Sequence, residues 1–231
     1  MTNYNKFSKY YDTVMGDREE DIKCVFSLIE NYVTKKDSVL DMCCGTGFFT
    51  KQLTDFKFKT GVDKSKGMLQ IAKKTVKNTK FVLSDMTKYK SKNKFDLVLC
   101  LFDSINHLTK KTDWVKFFSN SYSNLNDGGW LIFDINTVTK LEKFSKLGLI
   151  EQSFPDFLLK MKINKIKSVY LWDINILGKN GKILAKEKIN EISFPSDEIK
   201  RELIKKFKKI LVVPVGIADK DPDRVYFICQ K

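Results

Sequence analysis

Histidine is almost missing from this 231-residue chain, which has one, His107. Arginine is nearly as scarce: Arg18, Arg201 and Arg224 stand beside 39 lysines. No CxxC pair occurs among the five cysteines; Cys43 and Cys44 are adjacent, and Cys24, Cys100 and Cys229 are scattered. A structural zinc site needs clustered thiolates and imidazoles, so no metal is expected and the thiols read as reduced and inert. A nucleic-acid face would raise the arginine share, because arginine grips phosphate and guanine with two donors. The formal net charge of +14 therefore reads as a solvated lysine surface, compatible with an RNA partner without arguing for one. The opening MTNYNKFSKYYDT has no apolar stretch and no later run approaches the length of a membrane span. A cytoplasmic protein with no membrane partner is expected.

What is present is ample for a packed core: 42% of the residues are hydrophobic and 13% aromatic. Ile22, Val25, Phe26, Ile29 and Val33 recur at helical spacing, predicting a helix from about Arg18 to Val33. Beyond it, strand and helix alternate. SVLDM, FKTGVD, FVLSD, FDLVLCLF and WLIFDI read as strands. FFTKQLTDF, SKGMLQIAKKTVKN and DWVKFFSNSYSNL read as helices between them. After Asp134 the pattern changes to two strands turning at Gly178, Asn180 and Gly181. A helix with Ser196 as a plausible N-cap follows, then the strands KILVVPV and RVYFICQ. The expected fold is α/β: a doubly wound, mostly parallel seven-stranded sheet in one domain of residues 1–231, with an antiparallel β insertion at 137–194 after the fifth strand.

Ligands of open parallel sheets bind beyond the carboxyl ends of the strands, near the switch in strand order. Here those ends carry Asp41 and the loop Cys44-Gly45-Thr46-Gly47, then Asp63, then Asp85, then Leu101 to His107. Gly45 and Gly47 let the backbone turn tightly against a ligand. Asp63 follows at the spacing from which an acid grips ribose hydroxyls. Thr50 stands where a dinucleotide fingerprint wants its third glycine, and no phosphate-cradling GxxxxGK[ST] occurs. Acidic strand ends suit a ligand without phosphate that carries cationic groups.

VLDMCCGTGFFTKQL resembles the first motif of class I S-adenosylmethionine-dependent methyltransferases. GVDKSKGMLQIAKK, FVLSDM and FDLVLCLFDSINHL are similar to their second, third and fourth motifs. FDSINHL and the N-terminal YYD resemble a small bacterial subgroup that includes amino-sugar N-methyltransferases. The resemblance implies S-adenosylmethionine as methyl donor. Gly45 and Gly47 would pass under its methionine part, with Asp41 orienting the loop and, through water, the ammonium. Asp63 would accept both ribose hydroxyls, and Lys64 and Met68 would flank the adenine. Asp85 would accept the adenine amino group, the Met86 amide would donate to a ring nitrogen, and the Leu101 carbonyl would face the ammonium. Tyr11 would close the site.

Methyl transfer is an in-line displacement, so positioning supplies much of the catalysis. His107 sits where the acceptor would arrive and is a candidate general base, with Tyr11 as its catalytic companion and Asp103 as a weaker second base. A polar loop histidine is the alternative. The fourth strand's end lacks the [DNS]PP[FYW] of adenine-N6 enzymes, and no Pro-Cys pair offers cytosine-C5 chemistry. A nitrogen or oxygen of a small molecule is the expected acceptor. RNA (tRNA) methylation and a non-catalytic S-adenosylmethionine-binding module are the alternatives, and the protein is expected as a monomer or homodimer.

Overall fold

The computed structural model describes residues 4–215 and 222–231. Helices α1 (Ser8–Met15) and α2 (Glu19–Tyr32) precede β1 (Ser38–Met42), β2 (Phe58–Asp63), α3 (Lys66–Thr75), β3 (Thr79–Leu83), β4 (Phe95–Cys100), α4 (Lys111–Asn124) and β5 (Leu125–Asn136). Then come α5 (Val138–Ser145), β6 (Leu149–Ser153), β7 (Phe157–Ile166), β8 (Val169–Gly178), β9 (Ile183–Glu191), α6 (Ser196–Leu203), β10 (Lys209–Val215) and β11 (Arg224–Gln230). The main sheet has the order β10-β11-β5-β4-β1-β2-β3. Strands β1 to β5 are parallel, and β11 lies antiparallel between β5 and β10.

Both faces of this sheet are covered, which is why its central strands read as unbroken apolar runs. Leu40, Met42, Val98, Cys100, Leu131 and Phe133 pack toward Trp114, Phe117 and Phe118 of α4. Their alternating neighbours Val39, Leu97, Leu99 and Ile132 pack toward Val25, Leu28 and Ile29 of α2. The strand order reverses between β1 and β4, so a crevice opens at their carboxyl ends.

Strands β6 to β9 form a separate antiparallel sheet in that order. Its apolar face, including Leu159, Ile174, Ile176 and Ile189, packs on Phe7, Tyr10, Tyr11 and Val14 of the N-terminal segment. The sheet and α1 together roof the crevice. The expected hairpin turn is present, with the Gly181 amide donating to the Gly178 carbonyl at 2.8 Å.

Three expectations are corrected. FFTKQLTDF forms only a 3₁₀ turn at Thr50–Gln52. Phe49, Leu53 and Phe56 are buried there at spacings of three and four without a full helix. Ser196 is not the N-cap of α6: Pro195 holds that position, its carbonyl accepting from Glu198 and Ile199, and no side chain caps the helix. The insertion also has four strands rather than two. In β7, Leu159, Met161 and Ile163 alternate with Lys160 and Lys162 as in a half-buried strand, and the strand pairs with β8 along its length.

Phe133 stacks on Phe227 with ring centroids 4.9 Å apart and also meets Phe117 and Phe118. Phe133→Ala should cost about 3–5 kcal/mol in urea unfolding through the cavity it leaves. Ile166→Ala, at a position 58% exposed, should change stability by less than about 0.5 kcal/mol. Equal losses would contradict this core.

Candidate active site

The site begins with the loop after β1. Cys43, Gly45 and Gly47 all have positive φ, at 65°, 55° and 79°. A Cβ on Gly45 would meet nothing within 4 Å, so open space lies against its backbone. A Cβ on Gly47 would strike Val76 Cγ2 at 2.7 Å, so this glycine lets the loop press against α3. Asp63 ties the loop to β2: its Oδ2 accepts from the Gly45 amide at 2.9 Å and its Oδ1 from the Ser65 amide at 2.7 Å. Burial raises its pKa, and those two amides and Lys64 oppose the rise. Beneath the loop, Asp41 accepts a short hydrogen bond from the Thr50 hydroxyl. Burial pushes Asp41 up to about 7.

A cavity of about 320 Å³ runs from this loop to the underside of the antiparallel sheet. Tyr11, Gly45, Asp63, Lys64, Met68 and Met86 line one end. His107, Asp103, Asn136, Trp172, Glu191 and Arg224 line the other. A small adjoining cleft lies among Tyr11, Arg18, Asp41, Gly45 and Leu101. The Arg18 guanidinium sits 3.7 Å over the Phe48 ring and pairs with Asp12 at 3.1 Å, while its buried Nε has no hydrogen-bond partner. A larger hollow, about 490 Å³, opens at the amino ends of β1 to β4 among Lys57, Lys59, Lys80 and Lys94. It lies on the opposite edge of the sheet from the crevice.

The far end of the cavity is held by an amide clamp. Asn106, fully buried, donates to the carbonyls of Asn136 and Ile192 at 3.0 and 2.8 Å and accepts from the Asn136 amide at 3.1 Å. Phe102 and Asp103 adopt left-handed backbone at φ 56° and 52°. Arg224 anchors that turn, bridging Asp103 at 3.3 Å and Asp134 at 3.0 Å. His107 Nε2 lies 3.2 Å from the Tyr4 hydroxyl. Its pKa is lowered, chiefly by burial. Burial also raises Tyr4 and Tyr11, so both stay phenolic. Asp103, His107 and Glu191 bring ligand-type atoms within 4.8 Å of one another, but Arg224 already supplies a cation to Asp103.

Of the residues singled out from sequence, Tyr11, Gly45, Asp63, Lys64, Met68, Met86 and His107 border the main cavity. Asp41 and Leu101 border the cleft. Gly47 packs against α3. Asp85 is outside both linings; its Oδ1 accepts from the Thr87 amide and hydroxyl and caps the turn after β3. Sequence reasoning missed Tyr4, Arg18, Glu191 and Arg224. One signal was available: two of the three arginines in a lysine-rich chain lie here, where a planar multi-donor group is needed.

Residues 39–129 match a family described as methyltransferase domain. A putative methyltransferase of Bacillus subtilis (strain 168) is 26% identical, the alignment covering 99% of this chain and 97% of the relative. A solved S-adenosylmethionine-dependent methyltransferase from Clostridium acetobutylicum superposes with a TM-score of 0.85 at 24% identity, over 98% of both chains. A sugar N-methyltransferase from Streptoalloteichus sp. gives 0.83 at 19%, over 97% of this chain and 92% of that one. These structural likenesses establish the fold. Residues 39–129 are thus methyltransferase-like in sequence, and the fold around them is that of the solved methyltransferases. S-adenosylmethionine is the donor named for the first of those solved structures.

The residues fit that donor. Gly45 offers an open backbone cradle, the cleft pairs a cation with acceptors suited to an amino acid's two charges, and Asp63 keeps lone pairs beyond its amide bonds.

Folded Asp41 holds its proton to about 7, whereas an unfolded aspartate loses it near 3.9. Its stabilising effect is therefore whole at acid pH and lost as pH rises through that window. Asp41→Asn should gain stability relative to wild type between about pH 5 and about pH 8, by up to about 1.4 kcal/mol per unit. Urea unfolding at both values measures this, and a pH-independent difference would contradict the buried acid.

Proposed function

We propose that this enzyme methylates a nitrogen or oxygen of a small-molecule acceptor, in one domain whose segment 137–194 roofs the acceptor. The supporting observation is the single cavity joining the Asp63–Gly45 end to the His107 cluster beneath the roof. Its volume of about 320 Å³ is in the range of small-molecule sites.

In this reading Asp63 accepts the ribose hydroxyls, and Lys64, Met68 and Met86 flank the adenine. Gly45 passes under the methionine part, and Gly47 sets the loop's height. Arg18 pairs with the carboxylate, while the Leu101 carbonyl and Asp41 face the ammonium. Asp85 supports the turn that presents Met86. Bound S-adenosylmethionine supplies a methyl carbon made electrophilic by its sulfonium. Tyr11 and the roof exclude water, and the cavity walls hold the acceptor's lone pair in line with that carbon. His107, kept neutral at about pH 7 by burial, takes the proton the acceptor must shed.

Removing a buried charged acceptor of hydrogen bonds costs roughly 1.5–3 kcal/mol. Asp63→Ala should thus weaken S-adenosylhomocysteine binding about tenfold to hundredfold in calorimetric titration. An unchanged dissociation constant would remove Asp63 from the cofactor site.

His107→Ala should lower turnover by about 10²–10⁴ and leave S-adenosylhomocysteine affinity unaltered. The rate of the wild type should rise with pH, and that limb should vanish in the variant. The assay follows a tritium-methyl screen of amines, amino sugars and RNA for the acceptor. A surviving limb would leave proximity alone as the catalytic account.

A further inference from the structure

Glu191 is the last residue of β9 and is 5% exposed. Its Oε1 lies 3.9 Å from His107 Nδ1, too far for a hydrogen bond in this conformation. Yet His107 Nδ1 and Glu191 Oε2 are both buried, and among the described residues neither has a hydrogen-bond partner. An orphaned buried ring nitrogen beside a buried carboxyl group carrying an orphaned oxygen is costly, and engaging each other is one way to relieve both. Catalytic hydrogen bonds are often long before ligands bind and tighten afterwards.

The approach is built into the fold. Asn106 and Ile192, the chain neighbours of His107 and Glu191, are joined by two hydrogen bonds: Ile192 amide to Asn106 carbonyl at 2.9 Å, and Asn106 Nδ2 to Ile192 carbonyl at 2.8 Å. The roof sheet is thereby pinned so that its last residue meets the only histidine.

The surroundings give this carboxyl group no cation of its own. Arg224 is occupied by Asp103 and Asp134. No lysine or arginine pairs with Glu191 among the described residues, its one ionic neighbour within 4 Å being His107. Asp103 and the Asn190 carbonyl favour a charged His107, and Lys64 opposes it. Burial and Asp103 raise the pKa of Glu191, while hydrogen bonding with Asn136 and Trp172 and the charge of Lys140 pull it down. Tyr4, at the other ring nitrogen, stays phenolic.

We propose that Glu191 is the positioning residue for His107, holding the ring as the Nδ1–H tautomer and sharing the proton that reaches Nε2. This rests on His107 being the proton acceptor proposed above. The acceptor's N–H or O–H bond breaks as the new Nε2–H bond forms. The Nδ1–H proton then moves toward the Glu191 carboxylate, and one proton leaves to solvent when the pair resets. The two groups titrate as a pair, with macroscopic steps that belong to both.

A single histidine makes the test direct: its ring signals in ¹⁵N-labelled protein are unambiguous and need neither acceptor nor cofactor. In the wild type the Nε2 shift should report an unprotonated nitrogen at alkaline pH, and the ring should titrate in two coupled steps. In Glu191→Gln, which keeps shape and removes the charge, the upper step should disappear and the remaining midpoint should fall. A single step in the wild type, or an Nε2–H tautomer, overturns the proposal without use of any variant. A titration unchanged in a folded Glu191→Gln overturns it as well. Those results leave the base role of His107 to the turnover assay, where failure of His107→Ala to slow the reaction would instead remove the reading on which the proposal rests.

Discussion

The Asn106 side chain is what joins the two sheets at the point that matters. Its amide reaches the end of β5 and the residue after β9 at once, and it is fully buried. Hydrogen bonds from the Ile192 amide to the Asn106 carbonyl and from the Ser193 hydroxyl to the Asn136 carbonyl reinforce the same junction, fixing the end of β9 against the loop after β4. The cavity exists because one sheet supplies the crevice at its switch point and the other closes it. An amide is suited to the task, since it offers donors and an acceptor with no charge to desolvate.

Around that clamp the site is made of acids held out of water. Asp41, Asp63, Asp134 and Glu191 all have pKa values raised by burial, and Asp134 reaches about 6. The fold offsets the cost unevenly. Asp63 receives two backbone amides, Asp41 a hydroxyl, and Asp134 an arginine. Glu191 has Asn136 and Trp172 beside it and no cation. A site prepared for a cationic sulfonium and a proton-shedding acceptor gains from such carboxyl groups, because ligand charge completes what the protein leaves short. The lysines contribute little here: among the described residues only Lys64 and Lys140 reach the cavity.

Much of this was legible in the residue order. The five parallel strands, the glycine loop and Asp63 are local features: each strand is a short apolar run, and the ligand-facing residues come at its end. His107 was visible because a strand end precedes it and the chain has no other histidine. The helix expected after Gly47 was not formed, since the turn there needs only three residues to bury Phe49 and Leu53. Strand β6 has no buried residue to mark it, whereas β7 alternates Leu159, Met161 and Ile163 with lysines and was open to reading.

The amino-acid order by itself thus determined the sheet, its switch point and the donor-facing loop, since these follow from periodicity and from residues close in sequence. Tertiary structure alone decided what surrounds His107. Tyr4 lies 103 positions away in sequence, and Glu191 arrives on a strand of the other sheet. Their meeting depends on how two sheets pack, and the protonation of every acid in the site depends on how much water that packing removes. No local pattern encodes either quantity, because both are properties of surfaces that come into being only when distant segments close on each other.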